Sequence, residues 1–550
     1  MRNFHSIFGV LALVGLAACQ EPLLVDNENQ PERDRALSRP PDVETFIANS
    51  FNSVHNGTLQ ANDALQAGML VMGLESYSGN ANFDMNVRGG IPRGLVDNSR
   101  GNSGATIHLR DWQVLHRAAR SAAIGLARIN AGVAFGSPPR DQRNKAFAWF
   151  VMGLGVGNLA LVYDSVTEMR WDDPPDLATF PLLHYNAAMD LALDYLDSAI
   201  AVAQAAPAGA NGFPLPATWL NGATGGFAGG TVSRDDFVRF IRSYKARFRA
   251  SVARTPADRQ AVDWGRVIAD AQAGIGTDFR INMNPPPAGA WGMGLVQMWL
   301  FQSWHQMWSY MVGMADSSGA YDAWLAAPLS TKAPFVIQTR DTRFPAGTDR
   351  ATQNTNSPAV PLAGRYFRNR PAGQDVLTAN TLANSYYDFY RFQAFHDAQR
   401  IGPYPVMTRA EMNALIAEGA IRTSQWAIAA QYIDSSRVRN NLPSVAGIAD
   451  LTTPVPGGAA CVPRVPAPPS FTSTVCGNIM EAMKWEYRME TAFTGYGMWY
   501  FAGRGWGDLP EYTPLHHPVP YQELDVRSLP FYNIGGPGGV AGAARGTYGF

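Results

Sequence analysis

The chain has 550 residues, of which 46% are hydrophobic and 16% charged, and its 44 basic against 45 acidic side chains leave a formal net charge of -1. That length is enough to bury a sizeable core, in two or three domains or in one large helical body built from stacked units. With no basic run of five or more residues, nothing prepares a surface to neutralise phosphates, so nucleic acid is excluded as a partner.

The first element is an apolar run from Ile7 to Ala18 behind the basic Arg2. It is about 12 residues, well short of the roughly 20 needed to span a bilayer, so residues 1–18 read as a signal peptide. The run closes on Leu16-Ala17-Ala18-Cys19, which resembles the bacterial lipobox, and on that resemblance Cys19 becomes the lipid-carrying first residue of the mature chain. A triacylated Cys supplies the two or more hydrophobic signals that stable attachment to a membrane takes. The competing reading is an ordinary secretory peptide with an incidental Cys. Gln20-Glu21, with no Asp at the second position, resembles outer-membrane sorting. Residues 19–42 are mostly polar and read as a tether that cannot order by itself.

Helical patterning starts after Asp42, a candidate N-cap, where Val43, Phe46, Ile47, Phe51 and Val54 share one apolar face. A second stretch with Leu65, Met69 and Met72 runs into a Gly/Asn-rich loop from about Ser78 to Asn102. Further helices are expected at about Arg110 to Ala131, Arg143 to Val162, Leu183 to Ala203, Arg234 to Ala253 and Trp264 to Ile275. Gly153, Gly155 and Gly157 would weaken an isolated helix, so with Ala160, Ala187, Ala188 and Ala192 they predict close approach of neighbouring helices. Tyr185 to Gln204 resembles a tetratricopeptide helix, although no strict repeat of that family is present. Residues 43–281 therefore read as a divergent array of helix pairs, and the fold class as all-α.

Residues 282–405 are loop-rich and aromatic-rich, with prolines from Pro285 to Pro287 and turn signals at Ser317-Ser318-Gly319 and from Pro361 to Gly373. The stretch from Trp291 to Tyr310 is dense enough in apolar residues for a buried helix. In residues 406–550, helices return at about Thr408 to Gly419, Ser424 to Val438 and Asn478 to Thr494, before a Pro-rich and then Gly-rich tail from Pro514 that packs as irregular chain or frays. Cys461 and Cys476 lie in a Pro-rich segment of an exported chain, where a disulfide is favoured over two free thiols. Such a loop closure contributes roughly 3 kcal/mol through the unfolded state.

Three segments together resemble the SusD/RagB family of outer-membrane nutrient-binding lipoproteins. Ala146 to Val166 is similar to the family's long helix that ends in an aromatic residue and a turn. In Met407 to Pro443, "AEMNALIAEGAIR" after Arg409 and "AAQYIDSSRVRNNLP" resemble two successive family helices, with Arg437, Arg439 and Leu442 at matching places. In Ile479 to Asp525, Glu486, Arg488 and Glu490 stand near the family's Glu-Arg-x-x-Glu helix, and "HHPVPYQELD" resembles its closing Pro-x-Pro-x-x-Glu motif. The chain departs from the family at Thr494-Gly495-Tyr496-Gly497, where a Glu-Gly-x-Arg stretch is usual, so an ion pair there is missing or replaced by aromatic packing. The resemblance implies tetratricopeptide-like helix pairs carrying a loop-rich face, anchored to outer-membrane lipid through Cys19 and facing the exterior. It implies capture of an oligomeric nutrient, a glycan foremost, for a SusC-like TonB-dependent transporter, with no cofactor and no covalent chemistry.

A glycan binder offers open aromatic rings with a few directional hydrogen bonds. Trp291, Tyr321 and Trp324, beside Gly, Ala and Asp residues in loop-like context, are the candidates, with Tyr77 at the edge of the Gly/Asn-rich loop. For each of them plain packing into the body carries slightly more weight. Trp299, Trp304 and Trp308, interleaved with Met298, Leu300, Phe301, Met307 and Met311, read as core. Glu486 and Glu490 invite an acid/base reading, but with Lys484 and Arg488 in the same turns they read as structural ion pairs. Asp172-Asp173 reads as a turn, and His516-His517 lacks the spaced partners of a metal site, so no metal is assigned. An exported glycan-active hydrolase and a non-binding helical scaffold are the rival functions.

Overall fold

The computed structural model describes residues 36–550 apart from 62–64, 79–83, 174–179, 295–304, 357–364, 372, 376–379 and 540–541. Cys19, the leader, Trp299 and Trp304 lie outside the described residues. Proline in the first turn, where a missing N–H leaves nothing unpaired, opens the helix Pro40–Ala48 (α1), and Ser50–His55 (α2) follows it. Next come Gln66–Met72 (α3), Met85–Gly89 (α4), Thr106–Asn130 (α5), Pro138–Val162 (α6), Tyr185–Ala205 (α7), Arg234–Ser251 (α8) and Trp264–Gln272 (α9). The start signals are local. Ser233 accepts a hydrogen bond from Asp236 N ahead of α8, whose first turn carries Asp235 and Asp236, and Asp263 accepts one from Arg266 N ahead of α9. Helices α5 to α9 pack each against the next, with α1 and α2 laid on α5, which makes an all-α body of stacked helix pairs in the tetratricopeptide manner.

The glycines of α6 stand where neighbours come closest. A Cβ at Gly157 would lie 2.2 Å from the Phe248 ring on α8, one at Gly155 would lie 2.8 Å from Ala119 Cβ on α5, and one at Gly153 would lie 2.7 Å from Leu196 on α7. Helix α6 is long and apolar enough to cross a membrane, yet 89% of its apolar stretch is buried inside the body. Gly157→Ala sets two effects against each other. Alanine gains roughly 0.5–1 kcal/mol of helix propensity, whereas forcing α6 away from Phe248 costs about 1–3 kcal/mol. Urea unfolding should therefore show a net destabilisation of about 1–2 kcal/mol. A stabilised variant would contradict the close approach.

After α9 the strand Phe279–Met283 (β1) pairs antiparallel with Gly402–Met407 (β2), joining Phe279 to Met407 and Met283 to Gly402 with a register shift at Phe279/Arg280. The loop-rich residues between them thus leave the body and return at one ladder. Within this excursion Ala320–Ala326 (α10) is helical, a correction to the loop-like context read for Tyr321 and Trp324. Of the buried helix expected from Trp291 to Tyr310, residues 295–304 lie outside the described residues, and only the ends are corrected. Its described ends are a bridge between Asn284 and Trp291, extended chain with a bridge at Gln306, and the short helix Ser309–Gly313.

Arg409–Arg422 (α11), Trp426–Arg437 (α12) and Ile479–Thr491 (α13) pack on one another, started by Thr408 accepting from Glu411 N and Asn478 accepting from Glu481 N. Met498–Trp506 (α14) was not foreseen. It forms between Gly497 at φ 62° and Gly507 at φ 76°, two left-handed positions that glycine takes without strain, and it buries Trp499, Tyr500 and Phe501. Aromatic packing accordingly stands where the family's ion pair was sought. The tail does not fray: it forms Tyr521–Val526 (α15) and ends with Tyr548 and Phe550 buried.

Two cores result. The first gathers α1, α2, α5 to α9 and the β1/β2 ladder, together with Tyr500, Phe501 and Leu524. The second gathers Leu70 and Tyr77, the excursion, α11 to α14 and the C-terminal aromatics. The described strands pair only two by two, one such pair being Arg464–Pro466 with Thr474–Cys476, which a Cys461–Cys476 disulfide closes.

Candidate functional site

The four candidate rings are not brought together. Tyr77 is 3% exposed and meets Trp308 edge-on at 5.0 Å. Tyr321 and Trp324 are 1% and 4% exposed, because a spacing of three on α10 turns both to one face, where Phe335 and Tyr310 cover them. Rings so covered present no face to a ligand, and the structure corrects these three to core residues. Trp291 alone keeps part of its surface, at the edge of the first core, 5.5 Å from the His55 ring and 6.0 Å from Phe51.

Glu486 and Glu490 are buried and occupied. Arg343 donates to Glu486 at 2.8 Å, Arg439 pairs with Glu490 at 2.8 Å, and the Ser436 hydroxyl lies 2.8 Å from an oxygen of each carboxylate, with one proton to donate between them. Burial works to raise the pKa of Glu490, but Arg343, Arg391 and Arg439 outweigh it and hold it at about 2. An acid so thoroughly ionised has no proton to deliver. The partners read from the sequence, Lys484 and Arg488, bind Asp508 instead, at 2.9 and 2.5 Å. Asp172 sits in a turn, and among the described residues no group of three or more His, Cys, Asp or Glu could hold a metal ion.

The surface feature with the makings of a binding site is a cleft of about 540 Å³ between α5, α15 and the stretch from Thr167 to Met169. Its apolar wall is Leu109, Trp112, Ile124 and Met169, and Gln113, Arg117, Arg120, Gln522 and Glu523 supply polar groups. Trp112 and His116 lie 4.3 Å apart, and His116 Nδ1 donates to the Trp112 carbonyl at 2.8 Å. Burial pushes the His116 pKa down to about 4, so at neutral pH its Nε2 is an acceptor, and nothing among the described residues donates to it. Arg527 fixes the far wall by donating to Glu523 at 2.6 Å and to Thr167 Oγ1 at 3.1 Å. An apolar wall with guanidinium and amide groups at its rim suits a ligand that presents C–H faces and oxygen atoms in alternation.

These residues were missed from sequence, although α5 carries a signal. Leu109, Gln113, His116/Arg117, Arg120 and Ile124 recur at helical spacing, a mixed stripe beside the apolar one. Nothing in that spacing says what lies opposite.

An all-α body of stacked helix pairs carrying a loop-rich excursion is the SusD-like fold. A SusD superfamily protein from Bacteroides vulgatus matches it with a TM-score of 0.53 at 12% identity, over 89% of this chain and 97% of its own. A SusD homolog from Bacteroides thetaiotaomicron matches at 0.52 and 12% identity, over 92% and 99%. One from Parabacteroides distasonis matches at 0.51 and 10% identity, over 89% and 98%. No family model and no curated protein matches the chain.

Proposed function

We propose that this protein is a cell-surface lipoprotein that captures an oligomeric nutrient, a glycan foremost, and passes it to a SusC-like TonB-dependent transporter of the outer membrane. The observation that carries this reading is the SusD-like fold, matched over 89% of the chain. Cys19 in its lipobox-like setting supports the anchor. Holding the ligand beside a pore raises its local concentration there and requires no covalent step. The α5/α15 cleft is the proposed contact site, and the partly open Trp291 is the second place where a ring could meet the ligand.

Incubation of the purified protein with a panel of polysaccharides tests the reading. Retardation without product supports a binder, released product supports a hydrolase, and neither supports a scaffold. With any polysaccharide that is retarded, Arg117→Ala should weaken binding about tenfold, equal to about 1.4 kcal/mol. Arg117 is exposed, so the fold should survive the change. Undiminished binding by Arg117→Ala together with loss in Trp291→Ala would move the site to the edge of the first core.

A further inference from the structure

Arg88 on α4, His108 on α5 and His517 between α14 and α15 are 2%, 0% and 0% exposed. Every side-chain nitrogen of the three, Nε, Nη1 and Nη2 of Arg88 and both ring nitrogens of each histidine, is without a hydrogen-bond partner among the described residues. The two rings lie 5.4 Å apart at 49°, with the Tyr500 ring 6.3 Å from His517. Arg88 stands close enough for its charge to act on both imidazoles. Gly68 on α3 gives the guanidinium its room, since a Cβ there would lie 2.6 Å from Arg88 Nη1.

Two further cations stand nearby: Arg504 also acts on His517, and Arg254, next to Arg504, has its Nε and Nη1 unpartnered. Among the described residues, neither Arg88 nor Arg254 nor Arg504 forms an ion pair with a carboxylate. Asp84 is the acid whose charge reaches Arg88, and its carboxylate accepts from Asn102 rather than from Arg88. An unpaired buried cation is among the most destabilising features a fold can carry, and each unmade buried hydrogen bond adds to it. Water would satisfy the nitrogens but leave the charge uncompensated; an anion accepts from the donor nitrogens and compensates the charge.

We propose that Arg88, His108 and His517 hold a compact inorganic anion, a halide or a small oxyanion, inside the protein. It would accept hydrogen bonds from the guanidinium and from one N–H of each ring, and so clamp α4 and α5 to the segment that leads into α15.

The test starts from the purified mature protein, desalted into gluconate buffer, an anion too bulky for the interior. Chloride, sulfate and phosphate are then added at constant ionic strength while thermal unfolding is followed. A saturable upward shift in Tm with one of them is expected, along with close to one equivalent of that ion released on denaturation, read by ion chromatography. Arg88→Gln and His517→Gln should lose the saturable shift, while Arg266→Ala, at an exposed position outside both sites, should keep it. If the buried variants do not fold, bromide soaked into crystals of the native protein should give an anomalous peak between the three side chains. A Tm that is indifferent to the kind of anion, with no ion released and no peak there, would mean internal water only and would overturn the proposal.

Discussion

Arg343→Met is expected to destabilise the protein by about 3–5 kcal/mol, because it strands buried carboxylates. Arg343 is fully buried and donates to Asp341 through Nε at 2.8 Å and Nη2 at 2.7 Å and to Glu486 through Nη1 at 2.8 Å, with Glu490 at 3.5 Å. Trp485 Nε1 donates to the same Asp341 at 3.0 Å, and Tyr366 OH to Glu490 at 2.9 Å. Methionine fills much of the space and keeps none of the charge. The loss should depend on pH in a definite sense. In the native protein Glu490 titrates at about 2 against an ordinary 4.5, so it contributes stability above pH 4.5 that is lost as pH falls from 4.5 towards 2. Without Arg343 that depression shrinks, and the stranded acids are relieved by taking up protons. The gap between native and variant should therefore be widest near neutrality and narrow on acidification, as measured by urea unfolding at a series of pH values. A gap that stays constant across the series would show that shape, and not charge, is what Arg343 supplies.

Phe150→Ala should cost about 3–5 kcal/mol, the range for deleting a large buried ring. The side chain is 0% exposed on α6, with ring centroids of Phe51 at 5.9 Å, Phe147 at 5.9 Å, Phe237 at 5.2 Å, Phe240 at 5.7 Å and Tyr244 at 6.0 Å. Those rings come from α2, α6 and α8, so the cavity would open where three helices meet and where none can close it alone. The denaturation midpoint should fall with an unchanged slope. The adjacent Trp149, partly buried at the rim of the same core, should lose less on truncation to alanine. Equal losses at the two positions would mean that the helix is rotated from the orientation described.

Much of the helical body was legible because its signals are local. The apolar density and glycines of α6 and the periodicity of α5 and α7 are each written within one element. Binding rings were not legible, because exposure depends on partners distant in the chain. Tyr321 and Trp324 look open beside glycine and alanine, yet Tyr310 and Phe335 from either side of α10 close over them. The acid pair of α13 shows the same limit, since its main cation, Arg343, lies 143 residues upstream of Glu486. Helix α14 escaped notice because glycines flank a short aromatic run, which reads as a break until the left-handed caps are seen. The cleft needed α5 and α15, joined by nothing in the sequence between Asn130 and Tyr521 that announces their meeting.

The two cores interleave along the chain. Tyr500, Phe501 and Leu524 finish a core begun at Leu37, while Leu70 and Tyr77 belong to one completed at Phe550. Any single cut between Ala67 and Leu524 breaks both of them. Neither core is complete until the nascent chain has been made as far as Leu524, and the two are expected to melt together.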